Sequence, residues 1–143
     1  MEHVPVITID GPSGAGKGTI SQMLALDLGW NILDSGALYR SLAYYFEEED
    51  LKPKDLTDNL EKIKNNFNVH FDAGVTGEPV KIFFQNKDIT DLVRTEEVAK
   101  TTSILAADPY IRAFIKPIQR DFMILPGLVA DGRDMGTVIF SDA

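Results

Sequence analysis

The sequence predicts an α/β fold: a parallel sheet flanked by helices, with a small antiparallel sheet inserted into it. Three observations carry this. Short, β-branched apolar runs at residues 4–9, 30–33 and 128–130 alternate with stretches of helical periodicity, the pattern of strands buried on both faces between helices. A glycine-rich turn joins the first run directly to the first helical stretch. Between residues 68 and 90 the period drops to two, with Val69 and Phe71, then Val80, Ile82 and Phe84, set among polar neighbours and separated by turn formers.

The elements come in order along the chain. After the glycine-rich turn, Ile20, Met23, Leu24 and Leu28 recur at helical spacing until Gly29 stops the helix. Asp34 and Ser35 close the second strand and cap a helix marked by Leu38, Leu42 and Tyr45. Glu47, Glu48, Glu49 and Asp50 read as its solvated end. Leu56, Leu60, Ile63 and Phe67 fit an amphipathic helix ending near Asn65 and Asn66. Beyond the inserted sheet, Thr95 with Glu96 and Glu97 opens one helix and Asp108-Pro109 opens the next. In the latter, Ile111, Phe114, Ile115, Ile118 and Phe122 form the apolar face, and Pro117 is expected to kink or shorten it. The expected organisation is a core at 1–54, an insert at 55–95, and return helices with the third core strand at 96–143.

Composition narrows the function. The chain has 143 residues, ample for one domain, and a formal charge of -8, which argues against a nucleic-acid polymer as partner. A few well-placed cations can still make a positive pocket for a phosphate. There is no cysteine, and His3 and His70 are too few and too far apart for a metal site. No window approaches the roughly 18 to 20 apolar residues of a membrane span, and no signal peptide is evident, so a cytoplasmic protein is expected.

Chemistry concentrates in the glycine-rich turn. Gly11, Pro12, Ser13, Gly14, Ala15, Gly16, Lys17, Gly18 and Thr19 lie between a strand and a helix, the context that a phosphate-binding loop requires. Its glycines let backbone N–H groups converge on phosphate oxygens, the helix adds its positive N-terminal end, and Lys17 reaches the outer phosphates. ATP is the expected donor. Gly18 stands where many such loops carry the serine or threonine, and Thr19 comes one place later; this is the variant of nucleoside monophosphate kinases. Two further segments end strands and so fall beside the loop in an open parallel sheet: Asp34-Ser35-Gly36-Ala37-Leu38-Tyr39-Arg40 and Asp131-Gly132-Arg133-Asp134-Met135-Gly136-Thr137. Asp10 and Asp131 are each either a cap or an organiser of magnesium. Arg94 and Arg120 read as solvated surface charges.

GPSGAGKGT, DSGALYR, VRTEEVA and LVADGRDMGTVIF, taken in order, closely resemble the bacterial cytidylate kinases, and the resemblance runs from Val4 to the last residue. It implies a P-loop NTPase-type sheet, with the inserted small sheet as the CMP-binding insert. It also implies transfer of a phosphoryl group from ATP to CMP or dCMP by a monomer, with Mg2+ carried by ATP and no separate metal site. By the same resemblance Lys17 and Arg133 are catalytic. Arg40 and Arg133 hold the acceptor phosphate with Ser35 near the acceptor nucleotide, while Ser103, Arg112 and Asp134 read the cytosine edge. Cytosine sets an amino donor beside ring-nitrogen and carbonyl acceptors, which suits a carboxylate next to a guanidinium. The family's fold has two more parallel strands and an arginine-bearing lid, so these 143 residues are expected to be the N-terminal part of a longer protein. Competing readings are a P-loop kinase of another acceptor, such as UMP or a metabolite, a nucleotide-binding module without turnover, and a GTPase-type switch. The switch lacks its guanine reader: Asn86-Lys87-Asp88 has the wrong spacing.

Overall fold

The structure is a computed structural model in which residues 3–11, 17–132 and 135–141 are described, Lys17 and Thr137 through their backbone alone. The elements run β1 (Val6–Asp10), α1 (Lys17–Leu28), β2 (Asn31–Asp34), α2 (Ser35–Glu48), α3 (Leu60–Asn66), β3 (Val69–Asp72), β4 (Lys81–Phe84), β5 (Lys87–Asp88), α4 (Glu96–Ala107), α5 (Pro109–Arg120) and β6 (Leu128–Gly132). A short wide-turned helical segment, Met135–Ile139, comes after β6. Its Phe140 N–H donates to the Met135 carbonyl at 2.6 Å, five residues back.

β1, β6 and β2 form a parallel sheet in the order β1-β6-β2, with Ile9 opposite Asp131 and Asp131 opposite Asp34. The last strand in the chain is therefore the central one, and all five of its residues are buried. Alternation along the strands sorts side chains to the two faces. Leu33, Leu128 and Ala130 join Leu38, Leu42, Leu105, Ile111 and Ile115 in one core, while Ile32 and Val129 pack with Ala25 of α1 on the other. Phe71 and Val80 from the insert border this second cluster. α1 and the inserted sheet thus share a face of the parallel sheet.

The inserted sheet is antiparallel, ordered β3-β4-β5, with Phe71 opposite Ile82 and His70 opposite Phe83. The β4–β5 reversal falls at Gln85 and Asn86, both at positive φ (48° and 67°). Lys87 and Asp88 belong to the next strand, because a two-residue turn of this hand matches the twist of its strands. Tyr45, Phe67 and Phe84 meet beneath the sheet at centroid distances of 5.6 to 6.4 Å and fasten it to α2.

Caps explain the helix starts. Asp34 accepts from Ala37 N–H, Thr95 from Val98 N–H, and Asp108 from the N–H groups of Tyr110 and Ile111, with Pro109 next. α5 ends at Arg120, one turn from Pro117 and short of Phe122, with buried Ile111, Ile115 and Gln119 along one face. Two expectations need correction. In α1 the residues turned inward are Ser21, Gln22 and Ala25, whereas Ile20, Met23 and Leu28 are exposed. Glu47 is not merely a solvated end, because it accepts a hydrogen bond from Thr101 of α4 at 3.0 Å. Among the described residues no helix is long and apolar enough to cross a membrane.

Gly127 enters β6 directly against the Trp30 ring, where an added Cβ would lie 2.4 Å from the nearest ring carbon. Gly127→Ala is expected to cost about 1–3 kcal/mol by overpacking. A lowered thermal midpoint checks this, and an unchanged one would contradict the close approach.

Candidate active site

Parallel pairing puts the carboxyl ends of β1, β6 and β2 side by side, and each ends on or beside an aspartate with a different job. The Asp34 carboxylate caps α2 through Ala37 N–H at 3.0 Å. The Asp10 carboxylate accepts from Met135 N–H at 2.7 Å and Gly136 N–H at 2.9 Å, and so caps the segment after β6. It ties the end of β1 to the segment after β6. Asp131 is buried at 3 % exposure, and a Cβ added at Gly18 would lie 3.9 Å from its Oδ2. This carboxylate faces the first turn of α1.

Two adjoining cavities open above these strand ends. The larger, about 840 Å³, is lined by Gly11, Ser35, Gly36, Tyr39, Ser103 and Arg112, with Lys116, Gln119, Gly132 and Met135 also in its wall. Three of the expected acceptor residues, Ser35, Ser103 and Arg112, therefore converge on one space from three helices. Ser35 is the first residue of α2, and a Cβ on Gly132 would lie only 2.7 Å from its own Cβ, so the glycine lets β6 run up against the helix. The Ser103 hydroxyl donates to the Ala99 carbonyl at 3.2 Å, which leaves its oxygen available as an acceptor. Arg112 spans the α4–α5 corner, its guanidinium donating to the Ala106 carbonyl at 3.3 Å. Burial pushes the Tyr39 phenol above its ordinary range against the opposing charge of Arg112, so it stays a hydroxyl donor at neutral pH.

The smaller cavity, about 310 Å³, lies between α1, α2 and the insert, and here Arg40 is found with Gly18, Thr19, Asp34, Glu78 and Arg94. Gly36 is the partition. A Cβ at that position would sit 3.4 Å from both Arg40 Nη1 and Asp34 Oδ1, so the Arg40 side chain lies across the glycine from one cavity to the rim of the other. α1 begins at Lys17 as expected, and Gly11 N–H donates to the Gly132 carbonyl at 3.2 Å. The Lys17 side chain, and Pro12, Ser13, Gly14, Ala15, Gly16, Arg133 and Asp134 altogether, lie outside the described residues.

With this geometry the comparison of sequences becomes specific. Residues 7–143 match the sequence profile of the cytidylate kinase family. The chain belongs to that family. Among similar proteins, the cytidylate kinase of Shewanella oneidensis is 46% identical over 142 residues, covering 99% of this chain and 61% of the relative. That of Pseudomonas fluorescens is 48% identical over 141 residues, 97% of this chain and 60% of the relative. That of Nitrosococcus oceani is 44% identical over 142 residues, 99% of this chain and 62% of the relative. The chain spans about three fifths of the length of these family members.

Family motifs do not point to two other residues of the site. Gln119 is 2 % exposed, lines the larger cavity, and among the described residues its Oε1 has no hydrogen-bond partner. Gln22, 3 % exposed, donates from Nε2 to the carbonyls of Ala73 (2.7 Å), Val75 (3.0 Å) and Glu78 (2.7 Å), and its Oε1 accepts from Gly77 N–H at 3.3 Å. One side chain of α1 thus grips the β3–β4 loop of the insert by its backbone. Neither glutamine stands in a recognisable motif, so only the tertiary structure reveals them. Gln22→Ala is expected to speed hydrogen exchange at residues 73–78 at least tenfold, with a stability loss of about 1–3 kcal/mol. Unchanged exchange there would show that the loop holds itself.

Proposed function

We propose that this chain transfers the γ-phosphoryl group of ATP to the phosphate of CMP or dCMP, giving CDP or dCDP and ADP. The observation that carries the reading is the pair of adjoining cavities at the strand ends. One is lined by Ser35, Ser103 and Arg112, and the other by Arg40 beside the first turn of α1. The names of the family relatives agree with it.

In this reading the nucleoside occupies the larger cavity. Ser103, Arg112 and Asp134 face the cytosine edge, and Ser35 and the Tyr39 hydroxyl lie near the rest of the nucleotide. Arg40, reaching across Gly36, and Arg133 hold the acceptor phosphate. The donor phosphates lie on the N–H groups of residues 11–19 at the positive end of α1, with Lys17 over the outer ones. The attacking group is a phosphate whose second pKa is about 6, already mostly ionised at neutral pH, so no general base is needed. The residues supply alignment of two anions and neutralisation of the charge between them.

Magnesium arrives with ATP. Among the described residues no group of three or more His, Asp or Glu could hold a metal ion. A single buried carboxylate, Asp131 beside Gly18, suits an ion that keeps its waters and takes phosphate oxygens. Asp131 would orient that hydrated ion, and bound magnesium would neutralise the donor phosphates. The same reading takes the enzyme as a cytoplasmic monomer, acting where its nucleotide substrates are.

A coupled assay of ADP release by the full-length protein with CMP, dCMP, UMP and AMP tests the proposal; turnover highest with UMP or AMP, or no turnover with any of the four, would overturn it. Lys17→Ala is expected to lower turnover by roughly 10²-fold or more without unfolding the chain. Asp134→Ala should erode the preference for CMP over UMP while leaving the KM for ATP near that of the unaltered chain. Equal changes for the two pyrimidines would remove Asp134 from base reading.

A further inference from the structure

Arg94 is the last residue of a short helical turn, Leu92–Arg94, where the insert rejoins the core. On sequence it is a surface charge, but its surroundings argue otherwise. Its backbone is fixed on both sides: Val93 is 1 % exposed, and Thr95 is the cap that starts α4. The side chain is exposed and lines the smaller cavity, together with Arg40 from α2 and Gly18 and Thr19 from the first turn of α1. Among the described residues the Arg94 guanidinium makes no hydrogen bond or ion pair. Of the two carboxylates in the same wall, that of Asp34 caps α2, and Glu78 sits on the loop gripped by Gln22. Gln22, itself in the lining, thereby holds that part of the cavity in place.

We infer that Arg94 is a further acceptor-binding residue, a guanidinium from a third element that joins Arg40 and Arg133 on the acceptor phosphate. This rests on the proposed kinase reading and deepens it. A dianionic phosphate presents more oxygens than one guanidinium fork can engage, and two forks on different elements fix its orientation as well as its charge. The donor end of α1 supplies the adjoining positive potential, so the phosphate is drawn to the side of the cavity nearest residues 17–19. Because Arg94 closes the insert, its guanidinium reaches the phosphate only while the insert rests on α1. Acceptor binding and the seating of the insert are then one event.

The test compares CMP with cytidine, which lacks the phosphate, by titration calorimetry on the unaltered chain and on Arg94→Ala and Arg94→Lys. Arg120→Ala serves as control, since that residue ends α5 and lines neither cavity. Arg94→Ala is expected to weaken CMP roughly 10- to 100-fold, the range of a lost charge-assisted contact, with cytidine unchanged. Arg94→Lys should recover part of the loss, and Arg120→Ala should behave as the unaltered chain. An Arg94→Ala variant that keeps the full advantage of CMP over cytidine, or that weakens both equally, overturns the role of Arg94 alone. An unaltered chain that binds CMP no better than cytidine overturns the kinase reading with it.

Discussion

The site depends on β6 lying between β1 and β2 in parallel. That pairing buries the central strand completely and sets Asp10, Asp131 and Asp34 at three adjacent strand ends. Each acid then organises the chain just beyond the sheet: Asp10 receives the N–H groups of Met135 and Gly136, Asp131 faces the start of α1, and Asp34 starts α2. The starts of α1 and α2 and the end of β6 are thus gathered at one edge of the sheet by main-chain register.

Much of this was legible from local pattern. The strand–glycine–helix junction at residues 10–19, the caps at Asp34, Thr95 and Asp108, and the period-two insert all express chemistry that acts within a few residues. The part that could not be read is long-range. The apolar row Ile20, Met23 and Leu28 has helical spacing, yet Ser21, Gln22 and Ala25 are the residues that turn inward. Small and polar side chains there allow α1 to lie close to β6 and the insert loop. The expected acceptor residues Ser35, Ser103 and Arg112 do meet, whereas Arg40 lines the neighbouring cavity, a separation that only the path of α2 past Gly36 explains. Arg133, Asp134 and the interior of the phosphate loop lie outside the described residues.

The larger cavity also carries polar capacity that its described partners leave open. Pro117 has no N–H, so the Ala113 carbonyl lacks its usual helical donor, and Ala113 lines the cavity along with Gln119. A buried amide oxygen without a partner costs about 1–3 kcal/mol, a reason to expect ordered water or a ligand group at this wall.

The hold of Gln22 on the β3–β4 loop has a consequence for how this family member can vary. Every group it grips belongs to the main chain, so the identity of most side chains in that loop is invisible to the tie. Gly74 and Gly77, at φ of 69° and 92°, are the exceptions, because their backbone shape disfavours any other residue. Substitutions elsewhere in the loop can accumulate freely, while one inserted or deleted residue would shift the carbonyls out of reach. Drift in composition under a fixed length is the pattern such a contact imposes on descent.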